Sequence, residues 1–295
     1  MALEDAPERH KIRSENYFKN ICKQVSLPLT RKLKKNPKRL RIGYFSADFR
    51  EHAVSYLLAK VFEVHDRSNF EIYGFSIGHN EDSEMRKRIK CSFDVFYDVK
   101  DMSDSDIALL SRDNCIDIAI DLMGYTWNAR PGIFAYRAAP LQLNYLGYPG
   151  SMGSPCIDYI IADKYLIPVE SQKFYSEKVI YLPHHTQAQD DSLRIADQVP
   201  IRSTLGLPDD GFVFCAINAS YKITPIEFQI WLRLLRSVEG SVLWLLQDNQ
   251  WSRENLLKEA KARGINSDRL IFAKKTEHAD YLAQFRVADL FLDTF

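Results

Sequence analysis

Asp48 and His52 are the first residues of the chain whose types and spacing could do chemistry. Asp48 follows the apolar run RIGYFS, and His52 comes four residues later, directly before the amphipathic run AVSYLLAKVFEVH. A carboxylate and an imidazole at the end of a strand could bind a ligand or move a proton. Polar residues are also common as strand terminators and helix caps. This segment alone therefore leaves both interpretations open.

A second candidate lies in NASYKITPIEFQIW, where Lys222 follows the strand-like run GFVFCAIN. Thr224, Pro225 and Glu227 form a T-P-x-E helix start, with a threonine cap, proline in the first turn and a glutamate that reaches back. A lysine beside a helix N-terminus could bind a diphosphate, because the free N–H groups and the ammonium attract the same anion. A solvated lysine beside a well-capped helix explains the motif equally well.

Three further segments carry weaker signals. The run GYPGSMG, over 147–153, could bring backbone close to a ligand or form a plain turn. The DSD run at 104–106 has the spacing of a metal-binding pair, but it opens a helical run, and acidic residues favour a first turn. His278 follows the strand-like run RLIFAK and could stack on a base or simply begin a helix. No segment has the dinucleotide pattern G-x-G-x-x-G or the P-loop pattern.

The elements that must position these residues alternate between short apolar strands and amphipathic helices, which predicts an α/β fold with parallel sheets. The alternation stops near 182 and restarts after a long polar segment that contains proline. We predict a helical leader and basic linker over 1–38, a first α/β domain over 39–185, a connection over 186–207 and a second domain over 208–295. In open α/β sheets, ligands bind beyond the carboxyl ends of strands, where the candidates above lie.

Composition excludes several functions. The 39 basic and 39 acidic residues cancel, so no global charge drives the chain toward nucleic acid or anionic lipid. The five cysteines are dispersed and odd in number, which is typical of a reducing compartment. No apolar run reaches the length of a membrane span, and the N-terminus has no apolar signal region. We expect a cytoplasmic protein with no nucleic-acid or membrane partner.

Seven blocks of the sequence together resemble the catalytic region of the protein O-GlcNAc transferases, which form glycosyltransferase family 41 and include SPINDLY-related proteins. In chain order they are RLRIGYFSADFREHAVSY, IDIAIDLMGYTWNAR, RAAPLQLNYLGYPGSMGSPCIDYIIAD, YSEKVIYLPH, NASYKITP, SVLWLLQ and EHADYLAQFRVADLFLDTF. The resemblance implies two facing Rossmann-like domains of the GT-B type, usually preceded by tetratricopeptide repeats. It also implies inverting transfer of N-acetylglucosamine from UDP-GlcNAc to protein Ser or Thr hydroxyls, without a metal or other cofactor.

The resemblance also implies roles for individual residues. Asp48 and His52 match residues that line the cleft where acceptor and sugar meet, and His10 is the best match to a histidine proposed as general base. Lys222, next to Tyr221, matches the lysine that contacts the leaving diphosphate. The remaining matches are Ala273, Lys275 and His278 at uridine, Leu146 and Gly147 near the sugar, and Arg130 on the acceptor side.

The sequence departs from the family pattern at several places. Ala219 replaces a glutamine found in animal members, and Tyr281 replaces an arginine. The chain ends at LDTF, where the family continues into a His-Thr-Thr loop that holds the diphosphate. We therefore expect a second lobe that is incomplete and a chain with little or no transferase activity.

Three alternatives to O-GlcNAc transfer remain open. They are a SPINDLY-like protein O-fucosyltransferase that uses GDP-fucose, a sugar-nucleotide epimerase on the same fold, and a non-catalytic binding fragment. The sequence specifies neither the acceptor proteins nor an oligomeric state.

Overall fold

A computed structural model describes residues 6–22 and 38–294, which form two compact units. The first unit spans residues 6–192 and the second spans 193–294. Most of the basic linker predicted before residue 39 lies outside the described residues. The division after residue 192 falls inside the predicted connection of 186–207.

The first unit contains a seven-stranded parallel sheet in the order β3-β2-β1-β4-β5-β6-β7. The strands are β1 (Leu40–Ser46), β2 (Phe70–Ser76), β3 (Val95–Asp98), β4 (Ile118–Asp121), β5 (Leu141–Tyr145), β6 (Tyr159–Ala162) and β7 (Lys178–Tyr181). The helices are α1 (Pro7–Cys22), α2 (Ala53–Glu63), α3 (Glu84–Ser92), α4 (Asp104–Asp113) and α5 (Gly132–Ala135), and a 3-10 helix covers Val169–Phe174.

The central strands of this sheet are buried on both faces. The last five residues of β1 and of β2 are buried without alternation, as expected for parallel strands covered by helices on both sides. Phe45 of β1 stacks on Phe75 of β2 with ring centroids 4.4 Å apart, and Phe134 of α5 meets Phe45 edge-on at 5.3 Å. This aromatic packing holds the centre of the sheet rigidly beneath its carboxyl edge.

The second unit contains a four-stranded parallel sheet in the order β10-β9-β8-β11. Its strands are β8 (Val213–Ala216), β9 (Val242–Leu246), β10 (Leu270–Ala273) and β11 (Leu290–Phe291). The helices are α6 (Pro225–Ser237), α7 (Gln250–Ala262) and α8 (His278–Gln284), and 3-10 helices cover Arg202–Leu205, Ser220–Lys222, Ser267–Arg269 and Phe285–Val287. The predicted strand DLFLDTF is shortened to Leu290–Phe291.

The start of α6 confirms the predicted capping pattern. The side chain of Thr224 accepts from the amide of Ile226 at 3.3 Å, and the carboxylate of Glu227 accepts from the amide of Thr224 at 3.0 Å. Pro225 occupies the first turn. Such a capping box fixes where the helix begins, and therefore where its positive end points.

Both sheets share one topological device. In each sheet, the first strand lies between the second and the fourth. The second and third strands are added on one side of β1 or β8, and the fourth strand is added on the other side. Ligands of doubly wound sheets bind where the strand order reverses. The predicted α/β class with two Rossmann-like domains is confirmed. Within residues 6–22 and 38–294, no helix is long and apolar enough to cross a membrane.

Candidate active site

Asp48 and His52 lie together at the carboxyl end of β1, as the sequence predicts. Asp48 is buried, and its Oδ2 lies 3.5 Å from Nδ1 of His52. The other oxygen, Oδ1, accepts a hydrogen bond from Nη2 of Arg50 at 3.1 Å. The backbone amide of Asp48 donates to the hydroxyl of Ser46 at 3.0 Å. Arg50 therefore holds the carboxylate, and Ser46 holds the backbone that presents it at the edge of the sheet.

His52 itself is the N-cap of α2, a role that the sequence analysis considered for polar residues here without assigning it to the imidazole. Its Nδ1 accepts a hydrogen bond from the amide of Val54 at 3.3 Å. Burial lowers the pKa of His52, Asp48 opposes that change and Arg50 adds to it. The neutral imidazole is thus favoured near pH 7, and the leading physical cause is burial.

The loop after β4 meets the loop after β1 at the reversal of strand order. The sulfur of Met123 lies 3.3 Å from the amide nitrogen of Ala47 and 3.5 Å from the hydroxyl of Ser46. Asp121 ends β4 and accepts from the amide of Met123 at 2.9 Å. Burial raises the pKa of Asp121 to about 6. Sequence analysis missed Asp121, although an acid at the end of an apolar strand was the available signal.

Leu146 and Gly147 occupy the next strand end along the sheet, after β5. Leu146 has a φ of +67°, a left-handed conformation that a leucine adopts only when its surroundings enforce it. A Cβ on Gly147 would lie 2.0 Å from the carbonyl oxygen of Leu122, so only glycine fits there. The backbones of the loops after β4 and β5 are consequently in close contact, which holds Leu146 at the sheet edge.

The guanidinium of Arg130 is held by hydrogen bonds to other residues of the first unit. Its Nε donates to the carboxylate of Asp104 at 2.7 Å, and Nη2 donates to the carbonyl of Met102 at 2.7 Å. Asp104 belongs to the predicted DSD run, and Ser103 is the N-cap of α4, so these acids serve a helix start. The guanidinium thus braces the loop after β4 against the start of α4, and its acceptor-side role stays a prediction.

His10 lies on α1, which packs against loops at the same edge of the first sheet. The ring of Tyr17 meets that of Tyr125 edge-on at 5.2 Å, and a Cβ on Gly153 would lie 2.4 Å from the amide nitrogen of Glu15. Helix α1 therefore rests on the loops that follow β4 and β5. His10 is half-buried there, and its role as general base stays a prediction.

In the second unit, Tyr221 and Lys222 follow β8 in a short 3-10 helix that leads into α6. Both side chains are exposed. Within the part of the chain that the structure describes, the Lys222 ammonium has no ion-pair or hydrogen-bond partner. A free ammonium beside the positive end of a capped helix can bind an anion of the size of a diphosphate.

Asp248 joins the loops that follow β8 and β9. Its Oδ2 accepts from both the amide and the hydroxyl of Ser220, at 3.1 and 2.6 Å. The hydrogen bond from Ser220 lowers the pKa of Asp248, and the charge of Lys275 lowers it further. The carboxylate therefore links the ends of β8 and β9, and Lys275, which follows β10, is close enough to act on its charge.

A cleft of about 680 Å³ opens at the carboxyl ends of β9 and β10. It has the size of a small-molecule site and combines amides with cationic groups. The residues that line it are Gln247, Asp248, Asn249, Gln250, Arg253, Glu254, Lys274 and Lys275. Sequence analysis identified Lys275 alone among them, because the run QDNQ looks like an ordinary polar loop.

The two other predicted uridine contacts lie near this cleft in the chain. Ala273 ends β10 and is buried, and His278 begins α8 with its ring centroid 6.3 Å from that of Tyr281. Among residues 6–22 and 38–294, no group of three or more His, Cys, Asp or Glu side chains is arranged to hold a metal ion.

Two Rossmann-like units with polar residues at their reversal points are the architecture of the GT-B glycosyltransferases. The chain matches glycosyl transferase family 41 over residues 17–196 and 184–295, and it belongs to that family.

The relatives agree with this assignment. The chain is 37% identical over 262 residues to the probable UDP-N-acetylglucosamine–peptide N-acetylglucosaminyltransferase SEC of Arabidopsis thaliana. This alignment covers 87% of this chain and 27% of the plant protein. The chain is 28% identical over 270 residues to the corresponding SPINDLY protein of the same plant, covering 88% and 29%. The structure of a K341M mutant of Thermobaculum terrenum O-GlcNAc transferase superposes with a TM-score of 0.88 at 27% identity, covering all of this chain and 56% of that one. The chain thus spans less than a third of the length of these plant relatives.

Proposed function

We propose that this chain carries donor-binding and acceptor-side residues of an inverting glycosyltransferase that moves N-acetylglucosamine from UDP-GlcNAc to Ser or Thr hydroxyls of proteins. Membership of family 41 and the 37% identity to SEC support this activity. The observation that carries the proposal is the position of Lys222. It stands exposed between the end of β8 and the capped start of α6.

Lys222 suits the leaving group of this reaction. When the sugar departs, negative charge develops on the diphosphate of UDP, and donors already aimed at that charge lower the barrier. The free N–H groups at the start of α6 supply a partial positive charge, and the ammonium supplies a full one. Neither group requires a metal ion. We therefore assign the diphosphate to this helix start and expect catalysis without a metal.

The cleft between β9 and β10 suits the nucleoside. Its amides from Gln247, Asn249 and Gln250 can form hydrogen bonds with a base, and Lys275 lies at its rim. His278, at the start of α8, offers a planar ring for stacking. We assign the uridine to this part of the second unit, with Ala273 at the end of the strand beneath it.

The first unit supplies the acceptor side of the proposal. Inverting transfer needs a base for the incoming hydroxyl and hydrogen bonds that orient the sugar. Asp48 and His52 are the candidates at the carboxyl end of β1, while Leu146 and Gly147 form the adjacent edge. His10 and Arg130 complete the proposed acceptor-side set.

A direct test uses calorimetric binding of UDP and of uridine to residues 1–295. We expect Lys222→Met to weaken UDP binding about 10- to 100-fold, the range of a hydrogen bond to a charged group. The affinity for uridine should change little, because uridine lacks the diphosphate. Lys258→Met on exposed α7 removes the same charge elsewhere and serves as control. Equal UDP affinity in the two variants would contradict the assignment of Lys222.

A second candidate is transfer of fucose from GDP-fucose, the SPINDLY-like alternative. The lower identity to SPINDLY than to SEC ranks it second. A competition experiment offers both donors, labelled differently, with an acceptor protein. GlcNAc should be the sugar transferred. Transfer of fucose alone would reverse the ranking.

A further inference from the structure

Arg50 lies in the turn between Asp48 and His52 and contacts the carboxylate. Its Nη2 donates to Oδ1 of Asp48 at 3.1 Å, and its backbone amide donates to the carbonyl of the same residue at 2.8 Å. The side chain is 35% exposed, so its charge is only partly screened by water. No role for this arginine follows from the sequence blocks or from the donor and acceptor assignments.

The imidazole of His52 stands between a donor and an acceptor that compete for one nitrogen. The amide of Val54 donates to Nδ1 at 3.3 Å, which requires a lone pair there. Oδ2 of Asp48 lies 3.5 Å from the same atom and would require a proton there. The amide of Val54 has hydrogen-bond geometry toward Nδ1, whereas Asp48 makes only a longer ion-pair contact with that atom. The geometry therefore places the lone pair on Nδ1 and the proton on Nε2.

Burial and the charges around the ring favour this arrangement. Burial is the largest effect and disfavours the charged ring, Asp48 opposes it by attracting a proton to His52, and Arg50 adds to it by repelling one. The nearby acids Glu51 and Glu81 are engaged with other groups: Glu81 accepts from the amide of Glu51 at 2.6 Å, and Glu51 contacts the Tyr56 hydroxyl. Asp48 is thus the one carboxylate in contact with the ring among the described residues, and Arg50 offsets it.

We propose that Arg50 is a positioning residue which binds Asp48 and thereby holds the proton of the buried, neutral His52 ring on Nε2. This inference rests on the proposed function for its place in catalysis. His52 then donates a hydrogen bond from Nε2 to an oxygen of the donor sugar or of the acceptor. It cannot accept the proton of an incoming hydroxyl at Nε2 in this tautomer, so a group other than His52 must serve as the base.

The tautomer is measurable in the unmodified protein by nitrogen-15 NMR of the histidine rings, with His52→Gln identifying the resonances. We expect the Nε2–H form and a titration midpoint below that of an unperturbed histidine. In Arg50→Gln the midpoint should move to higher pH and the Nδ1–H form should gain population, because Asp48 is no longer offset. Arg50→Lys keeps the charge and should stay closer to the native protein.

Arg39→Gln is the matched control. It removes an arginine charge at the amino end of β1, about 20 Å from the carboxyl end at 3.3 Å per residue. The inference is overturned if the native ring is in the Nδ1–H form, a result that needs no variant. It is also overturned if Arg50→Gln titrates like Arg39→Gln.

These readouts need no donor or acceptor, so they are independent of the proposed function. If the native ring is in the Nε2–H form but the protein transfers no sugar, the role of Arg50 stands and the proposed transfer activity is contradicted. If the protein transfers sugar but the ring is in the Nδ1–H form, the proposed activity stands and the role of Arg50 is contradicted.

Discussion

Ser220 donates two hydrogen bonds to one oxygen of Asp248, from its amide at 3.1 Å and from its hydroxyl at 2.6 Å. The pair joins the loop after β8, which presents Lys222, to the loop after β9, which lines the cleft. We therefore expect the shape of the proposed donor site to depend on this contact between two of its own loops.

Removing the hydroxyl should loosen this connection. We expect Ser220→Ala to weaken UDP binding about fivefold, which corresponds to about 1 kcal/mol for one hydrogen bond. The free energy of unfolding should fall by a similar amount or less, since the pair is exposed. Ser68→Ala, at a serine of the first unit whose amide and hydroxyl likewise donate to one oxygen of Asp66, controls for loss of a serine. Unchanged UDP affinity in Ser220→Ala would show that the contact does not shape the site.

Gly147 should tolerate no side chain. In Gly147→Ala the new Cβ would lie 2.0 Å from the carbonyl oxygen of Leu122. The backbone at 147 or the backbone of the loop after β4 would therefore have to move. We expect the free energy of unfolding to fall by about 3 kcal/mol, the upper range for an overpacked position. In Gly240→Ala the Cβ meets no atom within 4 Å, and its φ of +70° leaves only the left-handed strain of about 1 kcal/mol. Chemical denaturation compares the two, and equal losses would refute the proposed close approach.

Asp121 should make stability depend on pH. Burial raises its pKa to about 6 from 3.8, so the folded state binds this proton more tightly than the unfolded state. The carboxyl therefore lowers the free energy of unfolding as pH rises from about 4 to 6. Asp121→Asn removes that dependence and keeps an oxygen for the amide of Met123. The variant should gain up to about 3 kcal/mol relative to the native protein between pH 4 and 7. A difference that does not change with pH would contradict the raised pKa.

Chelation should leave sugar transfer unaffected in the protein that carries this chain. In the proposed function, Lys222 and the start of α6 supply the positive charge that a metal ion supplies in other enzymes. The measurement is the transfer rate with EDTA and then with added manganese. A rate that EDTA abolishes and manganese restores would show that a metal holds the diphosphate.

Most elements of the fold were predictable because they depend on local patterns. The strand runs around β1, β2 and β9 are continuous and apolar, and the T-P-x-E start of α6 is a local signal. Helix α3 was missed since it is mostly charged. Its Arg86 is buried, and it donates to the carbonyl of Phe49 at 2.9 Å. Because the buried face of this helix contains an arginine, the sequence lacks the apolar periodicity from which an amphipathic helix is predicted.

The candidate site was predictable as a set of positions but not as a set of contacts. Asp48 and His52 were identified from their spacing, yet the bond from Val54 to Nδ1 depends on the rotamer of His52. The partner of Asp248 is Ser220, 28 residues earlier. That pairing follows from β8 and β9 being neighbours in the sheet, which no local pattern contains. The occupied guanidinium of Arg130 is a similar case, since Asp104 lies 26 residues away.

The strand order of the first sheet also bears on the order in which its strands pair during folding. Ile42 of β1 pairs with Ile72 of β2 on one side and with Ile118 of β4 on the other. The β1–β2 pairing closes a short loop, whereas the β1–β4 pairing closes one more than twice as long and so forms against a larger entropy cost. Met123 reaches Ala47 only after that second pairing. The turn around Asp48 and His52 can therefore form early, but the pocket edge beside it is completed only when β4 docks.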